Sequence, residues 1–78
     1  MREQIYMAPR YAVSIEISGK PEEYTYWPTY GDALEYLSKR QWSYIDAGYE
    51  FCMPNKDIPR WIEVNGAGIS LAIKDLPR

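Results

Sequence analysis

Stretches of apolar–polar alternation stand on both sides of one stretch with helical spacing, and this arrangement restricts the chain to few folds. Residues 10–18 place apolar side chains at every second position, which is typical of a strand with one buried face. Residues 19–21, Gly-Lys-Pro, have turn chemistry, and the alternation resumes over residues 22–27. The pattern predicts a β-hairpin that ends at Pro28, because proline cannot donate a hydrogen bond to a sheet.

A helix is predicted to follow the hairpin. Thr29 with Asp32 three residues later resembles a capping box, and an acidic side chain there also favours the positive end of a helix. Apolar residues then recur at spacings of three and four. The helix is expected to begin near Tyr30, and two ends fit the pattern: one near Arg40, the other at Ala47.

The second half of the chain returns to the two-residue period. Residues 49–53 alternate, and a loop bracketed by two prolines follows. Residues 60–65 place Trp61 on the face opposite to Ile62. An Asn-Gly-Ala-Gly segment then predicts a tight turn, and residues 69–73 form the returning strand with their small residues outward.

The element order (β)ββαβββ predicts an α+β domain. We expect an antiparallel sheet of four to five strands with one α-helix packed on one face. The bracketed strand, residues 3–7, is an optional edge strand. Neither a repeat nor a linker interrupts the pattern, so residues 1–78 are predicted to form a single domain.

The chain has no histidine and one cysteine, Cys52, which limits its chemistry. The lack of histidine removes the usual general base at neutral pH and the commonest zinc ligand. Gly66 and Gly68 lack the lysine and the third glycine of nucleotide-binding loops, and no acidic segment has the spacing of a calcium loop. Cys52 faces away from the apolar residues of its strand. The sequence therefore predicts no enzymatic activity, no catalytic residues, no metal site and no cofactor.

Charge and targeting signals exclude further classes. Eleven acidic and nine basic residues give a net charge of −2, which is too mild for a typical nucleic-acid binder. No apolar run has the length of a signal peptide core or a membrane span, and one cysteine cannot form an internal disulfide. We therefore expect a cytoplasmic protein that does not bind membranes and exists as a monomer or homodimer.

The aromatic content is the feature that points to a function. Eight tyrosines and three tryptophans are more rings than one helix can cover against a sheet of this size. Tyrosine and tryptophan on a surface are enriched at binding hot spots, although the rings can also pack on each other across strands. The predicted partner-binding residues are Tyr24, Tyr26, Trp27, Tyr30, Tyr36 and Trp61, with Glu22, Glu23 and Asp32 as an acidic rim that steers towards a basic partner.

In short length, mild acidity, aromatic richness and lack of a catalytic signature, the chain resembles the small inhibitors encoded by phages and mobile elements, such as anti-CRISPR proteins. The resemblance implies a protein that acts in the host cytoplasm and blocks a nuclease or surveillance complex by occupying a surface. We therefore expect a protein-binding inhibitor or adaptor, whose partner offers a basic surface of a nucleic-acid-processing complex. The alternatives are a single-stranded nucleic-acid-binding module and a structural, self-associating protein.

Overall fold

The computed structural model describes residues 8–77 and confirms the predicted α+β class. The optional edge strand predicted over residues 3–7 lies outside this range. In chain order the elements are β1 (Tyr11–Ile17), β2 (Glu23–Trp27), α1 (Tyr30–Asp46), β3 (Phe51–Cys52), β4 (Arg60–Glu63) and β5 (Ile69–Asp75).

The strands form one open antiparallel sheet with the order β2-β1-β5-β4-β3. The two central strands, β1 and β5, pair over their full length, from Tyr11 opposite Asp75 to Ile17 opposite Ile69. The five-residue strand β2 forms one edge, and the two-residue strand β3 forms the other. Because β5 returns to the middle of the sheet, both predicted hairpins lie in one continuous layer.

One face of the sheet, here called the helix face, packs against α1. Val13, Ile15 and Leu71 on the strands meet Ala33 and Leu37 on the helix, and all five are almost completely buried. These side chains come from alternate strand positions and from one stripe of the helix, as the sequence pattern predicts. The larger, half-buried residues packed around this core are Tyr11, Ile17, Trp27, Tyr36, Tyr44, Phe51 and Trp61.

The helix takes the longer of the two predicted lengths. Its N-cap is Thr29, whose Oγ1 accepts a hydrogen bond from the N–H of Asp32 at 3.1 Å, as the capping pattern predicts. It continues past Arg40 because Tyr44 packs on the core, with its ring 6.2 Å from that of Phe51. Gly48, at φ 104°, then reverses the chain just after the last turn.

The other face of the sheet, here called the open face, carries no helix among residues 8–77. Ala12 and Ser14 on β1 and Ala72 on β5 lie at its centre and are buried. The register pairs them with larger neighbours, since Ala12 lies opposite Tyr26 and Ala72 lies opposite Arg60. Cys52, on β3, is exposed on this face beside Ile62 and so faces away from the core, as predicted.

Candidate functional site

The register determines which backbone groups of β2 point away from β1. The N–H of Arg10 donates to the carbonyl of Trp27, so Trp27 directs its C=O towards β1. In a regular antiparallel strand, alternate residues direct both backbone groups to the same side. The backbone N–H and C=O groups of Tyr24 and Tyr26 therefore point away from β1, and none of the described strands pairs with them.

The side chains of Tyr24 and Tyr26 lie on the open face, with exposed fractions of 44% and 58%. The Tyr24 hydroxyl donates to Glu22 Oε1 at 2.8 Å, and Lys74 Nζ lies 3.4 Å from the other carboxylate oxygen. The hydrogen bond from Tyr24 lowers the pKa of Glu22, and Lys74 lowers it further. The same hydrogen bond raises the pKa of Tyr24. Lys74 Nζ also lies 5.3 Å from the centre of the Tyr24 ring. The orientation of Tyr24 is thus set by charged neighbours.

On the helix face, β2 is joined to α1 by stacked rings. The rings of Trp27 and Tyr36 are 5.0 Å apart and tilted by 33°, and the Trp27 indole N–H donates to Thr25 Oγ1 at 2.9 Å. Tyr30, at the start of the helix, meets Tyr11 of β1 edge to face at 5.7 Å. These contacts fix the N-terminal half of α1 above β2.

Arg40 connects the same two elements by polar contacts. Its guanidinium donates to Glu23 on β2 at 3.0 Å and to the hydroxyls of Tyr36 and Tyr44 on the helix. Partial burial alone would lower the pKa of Arg40, but the hydrogen bonds with Tyr44, Glu23 and Tyr36 outweigh it and raise the pKa above its ordinary value. The carboxylate of Glu23 is therefore already paired.

A crevice of about 140 Å³ opens between β2 and the helix, beside the free edge. Within residues 8–77, Asp32 makes no ion pair, whereas Glu35 and Lys39 form a solvent-exposed pair at 3.6 Å. The crevice therefore combines aromatic walls with one carboxylate, that of Asp32, which no lysine or arginine of the described range pairs with. Its lining residues, here called the β2 crevice, are Trp27, Asp32, Glu35, Tyr36 and Lys39.

Except for Trp61, the structure places the predicted partner-binding residues along one edge of the sheet, with Tyr24 and Tyr26 on its open face and the other rings on the helix side. Trp61 lies on β4, half-buried against the core on the helix face, because its register partner is Leu71. The others lie on β2, one residue before it or on the N-terminal half of α1, and with Glu35 and Lys39 they form what we call the β2 edge. Glu35 and Lys39 were not among the predicted contacts, because their helical spacing from Asp32 indicates the solvated face of the helix. The predicted contacts that belong to the β2 edge are Glu22, Glu23, Tyr24, Tyr26, Trp27, Tyr30, Asp32 and Tyr36.

A further aromatic side chain, Trp42, is 61% exposed and lies one helical turn beyond Lys39. Trp42 was not among the predicted contacts. It stands outside the β2 crevice and the hydrogen-bonded group around Arg40.

Comparisons with known proteins add no relative: no family profile, curated protein or solved structure matches the chain. Across the part of the chain that the structure describes, no three Cys, Asp or Glu side chains are grouped so that they could hold a metal ion. The single helix of residues 8–77 does not have the length and hydropathy needed to cross a bilayer. The β2 edge is thus the feature on which a functional proposal can be based.

Proposed function

We propose that this protein works without catalysis, by binding a protein partner through the β2 edge, as an inhibitor or adaptor. The observation that carries the proposal is the position of Tyr24 and Tyr26, two exposed rings on a strand whose outer backbone groups pair with none of the strands in residues 8–77. Exposed tyrosines held by a rigid sheet present large contact areas at a low entropic cost. Hydrogen bonds and ring stacking around β2 supply that rigidity.

The charge around the β2 edge favours a basic partner. Glu22 and Glu35 lie beside the rings but are paired with Lys74 and Lys39. Asp32 makes no ion pair within residues 8–77, so its charge can orient a basic partner. In the form implied by the resemblance to anti-CRISPR proteins, the partner is a basic surface of a host nuclease or surveillance complex in the cytoplasm. Occupation of that surface would block it without any chemical step.

The test begins with capture of the partner from a lysate of the producing or host cell and its identification by mass spectrometry. Affinity is then measured for the native protein and for the Tyr26→Ala and Tyr24→Ala variants. Each variant is expected to weaken binding by more than about 1 kcal/mol, which is roughly fivefold in Kd, while the melting temperature is retained.

Trp42→Ala is the matched control, because it also removes an exposed aromatic ring but lies outside the β2 edge. Equal binding by all variants would contradict the proposal. Affinity for single-stranded DNA that falls steeply with salt would instead favour the nucleic-acid alternative, and sedimentation that changes with concentration would favour self-association.

A further inference from the structure

We propose that the β2 edge binds an extended segment of the partner as a sixth strand of the sheet, and that a lysine or arginine of this segment enters the β2 crevice. This inference rests on the proposed protein-binding function and specifies the chemistry of the partner. It is carried by the backbone geometry of β2 and by the side chains of the crevice.

The backbone of β2 is prepared for strand addition. Tyr24 and Tyr26 direct their N–H and C=O groups outward, at the spacing that an added strand requires. Pro21 and Pro28 stand on either side of β2, so the pairing edge has a defined length. An added strand would give these backbone groups the partners that the described strands do not provide.

Side chains of an added strand would alternate between the two faces of the sheet. Those opposite Tyr24 and Tyr26 would lie on the open face against the two rings. Those opposite Thr25 or Trp27 would lie on the helix face, with Cβ atoms about 5 Å from those of β2. The β2 crevice lies on that side, because Trp27 forms one of its walls.

The chemistry of the crevice selects a cation. The ring of Trp27 lines the crevice, and ammonium and guanidinium groups are attracted to aromatic rings. The ring of Tyr36 also lines it, but the guanidinium of Arg40 already lies 5.9 Å from the centre of that ring. The crevice contains two carboxylates, Asp32 and Glu35, against one ammonium, that of Lys39, which is exposed and paired with Glu35. A basic side chain in the crevice would therefore face the carboxylate of Asp32.

Strand addition predicts a specific pattern of amide hydrogen exchange. The probe is a short peptide of alternating threonine and valine with one arginine at the centre, on the threonine side. With peptide at about ten times its Kd, exchange at the amides of Tyr24 and Tyr26 should slow by about tenfold. The amide of Thr25, which already faces β1, should not change. Binding without protection of Tyr24 and Tyr26 would overturn strand addition.

The position of the basic side chain is tested with two variants of equal charge change. Asp32→Asn should weaken binding of the arginine peptide about threefold to fivefold and leave a norleucine peptide unaffected. Asp46→Asn, at the far end of the helix, should affect neither peptide. The N-terminal cap survives in Asp32→Asn because it uses the backbone N–H. If Asp32→Asn binds the arginine peptide and the norleucine peptide as tightly as the native protein does, the crevice is excluded as the cation site.

Exchange at Tyr24 and Tyr26 that is slow before peptide is added would also overturn the inference. If that protection increases with protein concentration, a second copy of the chain occupies the edge. If it does not change with protein concentration, residues of the same chain occupy it. These outcomes are distinct from failure of the proposed function, which is read from the effect of Tyr26→Ala on the captured partner.

Discussion

Replacement of Glu63 by glutamine tests how the turn before β5 is held. Glu63 is 5% exposed and lies on the helix face at the end of β4. Its two carboxylate oxygens accept the N–H groups of Asn65 and Ala67, each at 2.6 Å. Glutamine has the same size but only one oxygen. In Glu63→Gln, the side-chain NH₂ group therefore faces one of the two N–H donors.

The magnitude follows from these contacts. A hydrogen bond to a charged acceptor contributes about 1.5–3 kcal/mol. The variant loses one of the two hydrogen bonds, and the other is made to a neutral amide oxygen instead of a carboxylate. Removing a buried charge offsets part of this loss, because the carboxylate no longer needs to be desolvated. The expected decrease in the free energy of unfolding is about 2 kcal/mol. For a domain of this size this corresponds to a decrease of roughly 8–16 °C in melting temperature.

The assay is thermal unfolding followed by circular dichroism at neutral pH. Glu50→Gln is the control, because the Glu50 side chain is exposed and its backbone carbonyl accepts from Val64 regardless of the side chain. The control should melt within about 2 °C of the native protein. If Glu63→Gln also melts within that interval, the carboxylate does not hold the turn and the reasoning is refuted.

Three further predictions concern the core, the second turn and the open face. Trp61→Ala should decrease the free energy of unfolding by about 3 kcal/mol, measured by denaturant titration, whereas Tyr26→Ala should change it by less than about 0.5 kcal/mol. Gly68→Ala should decrease the free energy of unfolding by about 2 kcal/mol in the same assay, because φ is +75° there and a Cβ would lie 2.6 Å from that of Ser18. Gly66→Ala should decrease it by about half as much, because Gly66 also has a positive φ but has no such neighbour. Tyr24→Phe should raise the pKa of Glu22 towards its ordinary value in an NMR titration, whereas Tyr26→Phe should leave it lowered. Because the folded-state pKa of Glu22 is lowered, the stabilisation from this pair is present above the ordinary pKa and is lost as the pH falls through the folded-state value.

Local patterns were sufficient to predict the elements of this fold. The alternation of residues 10–18 and 22–27, the cap at Thr29 and the turn at Gly66 and Gly68 each correspond to the observed element. These signals depend on residues close in sequence, so tertiary structure is not needed to interpret them. The sequence pattern fits two ends of the helix, because the last turn depends on packing between Tyr44 and Phe51. Phe51 lies on β3, outside the helical pattern.

Features that depend on strand order could not be predicted in the same way. Alternation separates Trp61 from Ile62 on β4, but only the pairing of Trp61 with Leu71 shows which of them faces the helix. Placement of β2 at an edge likewise follows from the return of β5 beside β1. For this reason the residue types of the candidate site were predicted from the sequence, whereas the outward-facing backbone groups of β2 and the β2 crevice were not.

The two outer strands have unequal lengths, and this difference bears on how many strands the sheet is expected to accept. β3 contributes only Phe51 and Cys52, whereas β2 contributes five residues. β3 is therefore too short to pair with an added strand in the way that β2 can, and strand addition is expected at the β2 edge alone. If the proposed strand addition occurs, we expect a complex with one copy of each partner.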